Sequence, residues 1–317
     1  MSSFNDSDVQ KLREELLKKH EGTSVEDFFK GEEVETKYGT CYRITNHNSL
    51  KLNTIKPDKA KKRILSDLKL LGGIGESRER TLNKDGYSTI GDLVEHPRFG
   101  ESASHLIEVV EECDASKLSE CIACRYPKSH PLMLCSSCFH ETENLVFMDI
   151  ETMGLKDVPL ILIGVAEMSG NDVEVNQYLL RNLREENAAI EGFLSHLHKD
   201  SVFVTFNGQT FDVPYIKNRM YYYGIKQKMT RDHLDLMHFS RRAWSDELPN
   251  CQLQTLEKYL FGMERHGDVP SSKVPSFYKT YLETGNIGPL LPIVEHNRED
   301  VVTLVKLLSR LYDEVEV

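Results

Sequence analysis

The sequence has little that would take it into or across a membrane. No apolar run approaches the roughly 18 residues that span a bilayer. Met1-Ser2-Ser3-Phe4-Asn5-Asp6 lacks the basic stretch followed by an apolar one that marks secretion. The expectation is an intracellular, cytoplasmic protein without a membrane partner. Cysteines are few and odd in number, seven in 317 residues. In an intracellular chain that excludes a disulfide framework and favours metal binding. Positive charge is also short, with a net charge of −11. This argues against a partner held by overall basic attraction, such as nucleic acid. The deficit is uneven, however, because −8 of it falls in residues 143–317, where bound cations would offset it.

With 39% hydrophobic and 28% charged residues, the chain suits a globular protein of two or more domains. Four segments are expected. Residues 1–60 read as an amphipathic helix, with Val9, Leu12, Leu16 and Leu17 at helical spacing, followed by short strands turning at Gly39 and at Asn46-His47-Asn48. Within 61–112, Leu70-Leu71-Gly72-Gly73-Ile74-Gly75-Glu76-Ser77-Arg78 predicts a helix, a glycine turn and a second helix. Glycine permits positive φ there, and the first amides of the second helix form an anion site suited to a backbone phosphate. Together with Gly86 to Leu93 the pattern resembles helix-hairpin-helix modules. Gly73, Gly75 and Arg78 are then candidate phosphate contacts, helped by Arg80 and Lys84, unless the hairpin serves packing alone.

Residues 113–142 carry Cys121-Ile122-Ala123-Cys124 and Cys135-Ser136-Ser137-Cys138. Two such knuckles can present four thiolates to one ion, so this segment reads as a ribbon held by one structural Zn²⁺. His130 and His140 are spare donors, and four reduced, metal-free cysteines are the plainer alternative.

From residue 143 the pattern becomes three strands (145–150, 160–167, 173–180), a helix (183–198) and a further strand (201–206), as in an α/β sheet flanked by helices. The first strand ends in Phe147-Met148-Asp149-Ile150-Glu151-Thr152. Alternation puts Asp149 and Glu151 on one face, about 7 Å apart. Two such acids at the end of a buried strand repel each other unless a cation lies between them. Asp212 follows the fourth strand, in the first turn of a helix where the dipole favours a carboxylate. On the long last helix, His296 and Asp300 are four residues apart and share a face.

These segments, with Phe206-Asn207-Gly208, Phe211-Asp212-Val213-Pro214-Tyr215, His233-Leu234-Asp235-Leu236 and His296 to Val302, resemble the DEDD superfamily of exonucleases. The match is closer to the YprB-type RNase H-like family and covers about half the chain. It implies an RNase H-like mixed sheet over 143–317 and 3′–5′ phosphodiester hydrolysis of DNA or RNA with two Mg²⁺ or Mn²⁺. The same resemblance makes Asp149, Glu151, Asp212 and Asp300 metal ligands and His296 the base. The substrate would be nucleic acid with a single-stranded 3′ end, its terminal nucleotide at Asn207 and Phe211. The family carries its base as Tyr four residues, or His five residues, before the last Asp. Here the fifth position is Glu295 and the fourth is His296, which leaves the base open. A binding adaptor that does not cut and a structure-selective endonuclease are the alternatives on the same fold.

Overall fold

The computed structural model describes residues 6–229, 232–265 and 269–316. The chain divides into two units. One takes residues up to 51, 143–237 and 244–306, and the other takes 52–142, 238–243 and 307–317.

The larger unit is built on a seven-stranded mixed sheet. Its strands are β1 (Glu32–Thr36), β2 (Gly39–Ser49), β3 (Leu145–Thr152), β4 (Leu160–Ser169), β5 (Asp172–Leu179), β6 (Val202–Thr205) and β7 (His233–Asp235), in spatial order β1-β2-β5-β4-β3-β6-β7. β1 to β5 pair antiparallel, whereas β3, β6 and β7 run parallel. The parallel centre is buried on both faces, which is why β3 and β6 read as continuous apolar runs without clean alternation. The Glu186–Leu194 helix packs on β2 and β4. Ile161, Phe193, Phe203 and Tyr278 belong to the core cluster, each almost fully buried.

The expected domain limits are corrected here. Residues 1–60 are no separate subdomain, because β2 pairs with β5 along eight residues, from Tyr42↔Leu179 to Ser49↔Asp172. That ladder, together with the burial of Cys41, Tyr42 and Ile44, makes β1 and β2 one side of the sheet. Asn46-His47-Asn48 is strand, not turn. Segments 61–112 and 113–142 lie in a single unit, and the last eleven residues join it.

That smaller unit is helical. Pro57–Leu65 opens with proline at its first position, where a missing N–H costs nothing. Gly73 turns the chain at φ 84° ahead of the Glu76–Lys84 helix, whose N-cap Gly75 brings no side-chain cap. The glycine turn and the helix after it are present, but the element before the turn is a single 3-10 turn, Leu68–Leu70, and not the expected first helix. The ribbon is not formed. Cys121 lies on the Ala115–Ala123 helix with Cys124 capping it, and Cys135 lies on Pro131–Ser137 with Cys138 capping that one. Leu118 and Ile122, and Leu132 and Leu134, are buried on these helices, so packing of apolar side chains rather than a metal accounts for their fold. Burial pushes the Cys135 thiol up to about 11 and the Cys138 thiol up to about 12. The Cys138 thiol donates to the Cys135 carbonyl at 3.1 Å. His130 is engaged as an N-cap and stacks on Tyr126 at 3.8 Å. The two pairs sit on separate helices, and among the described residues no group of three or more His, Cys, Asp or Glu is placed to hold a metal ion, neither these thiols nor the carboxylates of the larger unit. No helix of the described residues is long and apolar enough to cross a membrane.

Candidate active site

β3 carries the site at its C-terminal end. Its pairing with β4 shifts register between Glu151 and Thr152. Such a bulge ends the regular ladder and re-aims the side chains beside it. Asp149 and Glu151 point to one face, as alternation requires, and the long helix Leu290–Glu316 supplies His296, Asn297 and Asp300 there. Nε2 of His296 lies 3.4 Å from Asp300 Oδ2 and 3.9 Å from Glu151 Oε1. Asp212 opens the Asp212–Tyr222 helix, and its Oδ1 accepts from the Ile150 N–H at 3.1 Å, between the two strand acids.

The five predicted residues Asp149, Glu151, Asp212, His296 and Asp300 are therefore brought together. Their electrostatics are those of a crowded anion cluster. Desolvation raises the Asp149 carboxyl well above the usual carboxylate range, and the charges of Asp300, Asp212 and Glu151 raise it further. Burial pushes Asp212 up to about 7 against the hydrogen bonds it accepts. Asp300 is raised by desolvation, while His296 and Arg265 pull it back.

Three features complete the site, and of these only Asp235 is expected from the sequence, as a structural acid at a strand end. The first is a polar relay across the sheet. Gln177 of β5 donates to Asn297 Oδ1 at 3.0 Å, and Asn297 Nδ2 donates to Asp149 Oδ2 at 2.9 Å and to the Asp149 carbonyl at 3.1 Å. Asn297 fits because Gly164 lies opposite Asp149 on β4, where an added Cβ would come within 2.1 Å of Asn297 Oδ1. A glycine inside a buried strand, together with an amide beside His296, was the available signal. Gly164→Ala is expected to cost about 2–3 kcal/mol by expelling Asn297. A lowered urea midpoint checks this, and an unchanged midpoint would show that Asn297 is not confined by the glycine.

The second is Asp235 at the end of β7. Its carboxylate accepts from the amides of Asn207 (2.8 Å), Gln209 (3.1 Å) and Met237 (3.2 Å). It thereby holds the turn that delivers Asp212, including Asn207 at φ 66°. Asn207 spends its side-chain oxygen on Thr210 at 2.8 Å. Phe211 immediately precedes the Asp212 helix and packs on Tyr215. Gly73, Gly75 and Arg78 belong to the other unit, where Arg78 donates to the Gly73 carbonyl.

The third is Arg265, past the Leu253–Phe261 helix. Its Nε donates to Glu257 Oε2 at 2.7 Å, its Nη2 reaches both Glu257 and Asp300, and its Nη1 lies 3.4 Å from His296 Nδ1. The guanidinium is thus the cation among these acids, and nothing in local spacing announced it.

The donor set is four carboxylates with one imidazole. Such oxygen ligands suit a hard divalent cation, and the upward pressure on Asp149 is what a cation would relieve, though the side chains are not arranged here as a ready ligand group.

A mixed sheet of this order, with acids gathered at the end of β3 where its antiparallel and parallel parts meet, defines an RNase H-like α/β protein. The RNase_H_2 family model, of the RNase H superfamily, matches residues 146–312, and the chain belongs to that family. It is similar to the uncharacterized protein YprB of Bacillus subtilis (strain 168), 31% identical over 236 residues. That similarity covers 71% of this chain and 53% of the relative. A DNA polymerase of Methanocaldococcus jannaschii is 25% identical over 154 residues, covering 39% of this chain and 9% of that protein. The chain thus spans about half the length of the first relative and a small part of the second.

Proposed function

We propose that this chain is a metal-dependent 3′–5′ exonuclease that hydrolyses phosphodiester bonds of DNA or RNA. The observation carrying this reading is the convergence of Asp149, Glu151, Asp212, Asp300 and His296 at the end of β3. Similarity to a protein named as a DNA polymerase adds weight to nucleic-acid substrates.

Asp149, Glu151, Asp212 and Asp300 would hold two magnesium or manganese ions, which would supply Lewis acidity and charge neutralisation for the scissile phosphate. The chain does the rest. Asn297 fixes the Asp149 carboxylate, and the Ile150 N–H fixes that of Asp212. His296 accepts the proton of the attacking water at Nε2, the nitrogen that faces Glu151 and Asp300. For that step the imidazole carries its own proton at Nδ1, the nitrogen that faces Arg265 at 3.4 Å. Asn207 and Phe211, which precede Asp212 in the chain, would meet the terminal nucleotide. Gly73, Gly75 and Arg78 of the hairpin grip backbone phosphate without reading sequence.

End-labelled single- and double-stranded DNA and RNA, incubated with Mn²⁺, test the reading. Stepwise shortening from the 3′ end is expected. Intact binding without cleavage would make the chain an adaptor, and one discrete internal product would make it an endonuclease.

A further inference from the structure

Among the described residues, the three most exposed large apolar side chains are Tyr221 (88%), Leu155 (86%) and Tyr222 (70%). Scattered singly, such residues are ordinary. These three line one open cavity of about 700 Å³, together with Phe211, Pro214 and Asn218. Gathered apolar surface of that kind marks a contact site.

Both walls of the cavity follow in the chain directly after residues of the carboxylate site. One wall is the loop after β3, carrying Leu155 and Lys156 just beyond Glu151 and Thr152. The other is the Asp212–Tyr222 helix. Phe211, Pro214, Asn218, Tyr221 and Tyr222 recur at spacings of three and four, which puts them along one face of it. The face begins next to Asp212 and runs about 15 Å away from it. The Tyr215 hydroxyl joins the walls, donating to the carbonyls of Gly154 (3.1 Å) and Val158 (2.8 Å).

The chemistry of the lining selects the occupant. The two outermost rings are aromatic and exposed, and bases stack on such rings whatever their identity. The Arg219 guanidinium lies over the Tyr222 ring at 4.6 Å and is anchored from below by Glu186, which stiffens that ring. Lys156 stands in solvent at the rim, 82% exposed and 4.0 Å from the equally rim-lining Asp157, and Lys217 is exposed on the Asp212–Tyr222 helix. Aromatic faces with cationic edges match unpaired bases on a phosphate chain. A duplex keeps its base faces stacked inside and cannot offer them.

We propose that Tyr221 and Tyr222, with Leu155 on the facing loop, form a stacking platform for single-stranded nucleic acid whose end lies at Asp149. The platform rests on the nuclease reading of the carboxylates and extends it by on the order of four nucleotides at stacked spacing. It assigns the preference for unpaired ends to the helix after Asp212.

The test uses the full chain carrying Asp149→Asn, so that bound strands are not cut, and fluorescence anisotropy with a labelled oligonucleotide, single-stranded or annealed. Tyr221→Ala with Tyr222→Ala is expected to weaken single-strand binding about 30-fold or more and to change duplex binding little. Tyr221→Phe with Tyr222→Phe keeps the affinity, since the ring and not the hydroxyl is used. Single-strand affinity unchanged by the alanine pair overturns the platform and leaves the nuclease reading standing. Loss of a dimer in sedimentation, with nucleic-acid affinity unchanged, assigns the patch to a second copy and overturns it likewise. A wild-type chain that neither binds nor cuts any strand removes the nuclease reading first.

Discussion

Asp149→Asn is expected to lower hydrolysis by on the order of 10³-fold or more while leaving the fold as stable as before, or more so. The two halves share one cause. Asp149 is the acid on which the cluster converges, with Asp212, Asp300 and Glu151 all raising it. The folded chain therefore favours its protonated form, and ionisation at neutral pH costs stability. Asparagine removes that charge and can still accept from Asn297 through its side-chain oxygen. A gain of about 1 kcal/mol corresponds to a Tm rise of about 2–4 °C for a unit of this size. The comparison is made in chelator. Retained cleavage by Asp149→Asn would refute the assigned chemistry, and a large fall in Tm would refute the electrostatic account of the cluster.

Arg265→Met acts in the opposite sense on stability. Glu257 is 1% exposed and depends on the Arg265 fork, with the Thr303 hydroxyl as a further donor. Stripping one partner from a buried ion pair leaves an uncompensated charge and costs about 3–5 kcal/mol, about 10 °C in Tm here. Adding Glu257→Gln should restore much of that loss, because no lone carboxylate then remains. The same substitution frees Asp300, which Arg265 holds, and clears the space facing His296 Nδ1. Mn²⁺ should therefore bind Arg265→Met more tightly than wild type by calorimetry and raise its Tm by more. Equal Mn²⁺ affinity in the two chains would show that the guanidinium does not compete for Asp300.

The contrast between these residues explains what could be read without coordinates. Asp149 and Glu151 were visible because strand alternation fixes their common face within three residues. His296 and Asp300 were visible because one helical turn does the same over five. Asp212 was visible as the acid opening a helix after an apolar strand. Arg265 obeys no such rule. It lies eight residues from Glu257 and 35 from Asp300, joined to them by a turn whose course depends on everything packed against it.

The cysteine segment shows the reverse error. C-x2-C is compatible with a metal knuckle and equally with one turn of helix. The neighbours Leu118, Ile122, Leu132 and Leu134 decided for helix by burying an apolar face, and sequence spacing could not weigh that burial against four thiolates.

By itself the sequence determined the strands from 145 to 206, the helices that carry Asp212 and His296 with Asp300, the glycine turn at Gly73 and the shared faces of the acids. Each depends on a periodicity of two or 3.6 residues, or on the φ freedom of one glycine. Tertiary structure alone decided that β2 pairs with β5 across more than a hundred residues, that Gly164 makes room for Asn297 beside Asp149, and that Arg265 is the cation among the carboxylates. Partners so far apart in sequence meet only when the whole apolar core closes, and no local pattern encodes which of the available surfaces will close on which.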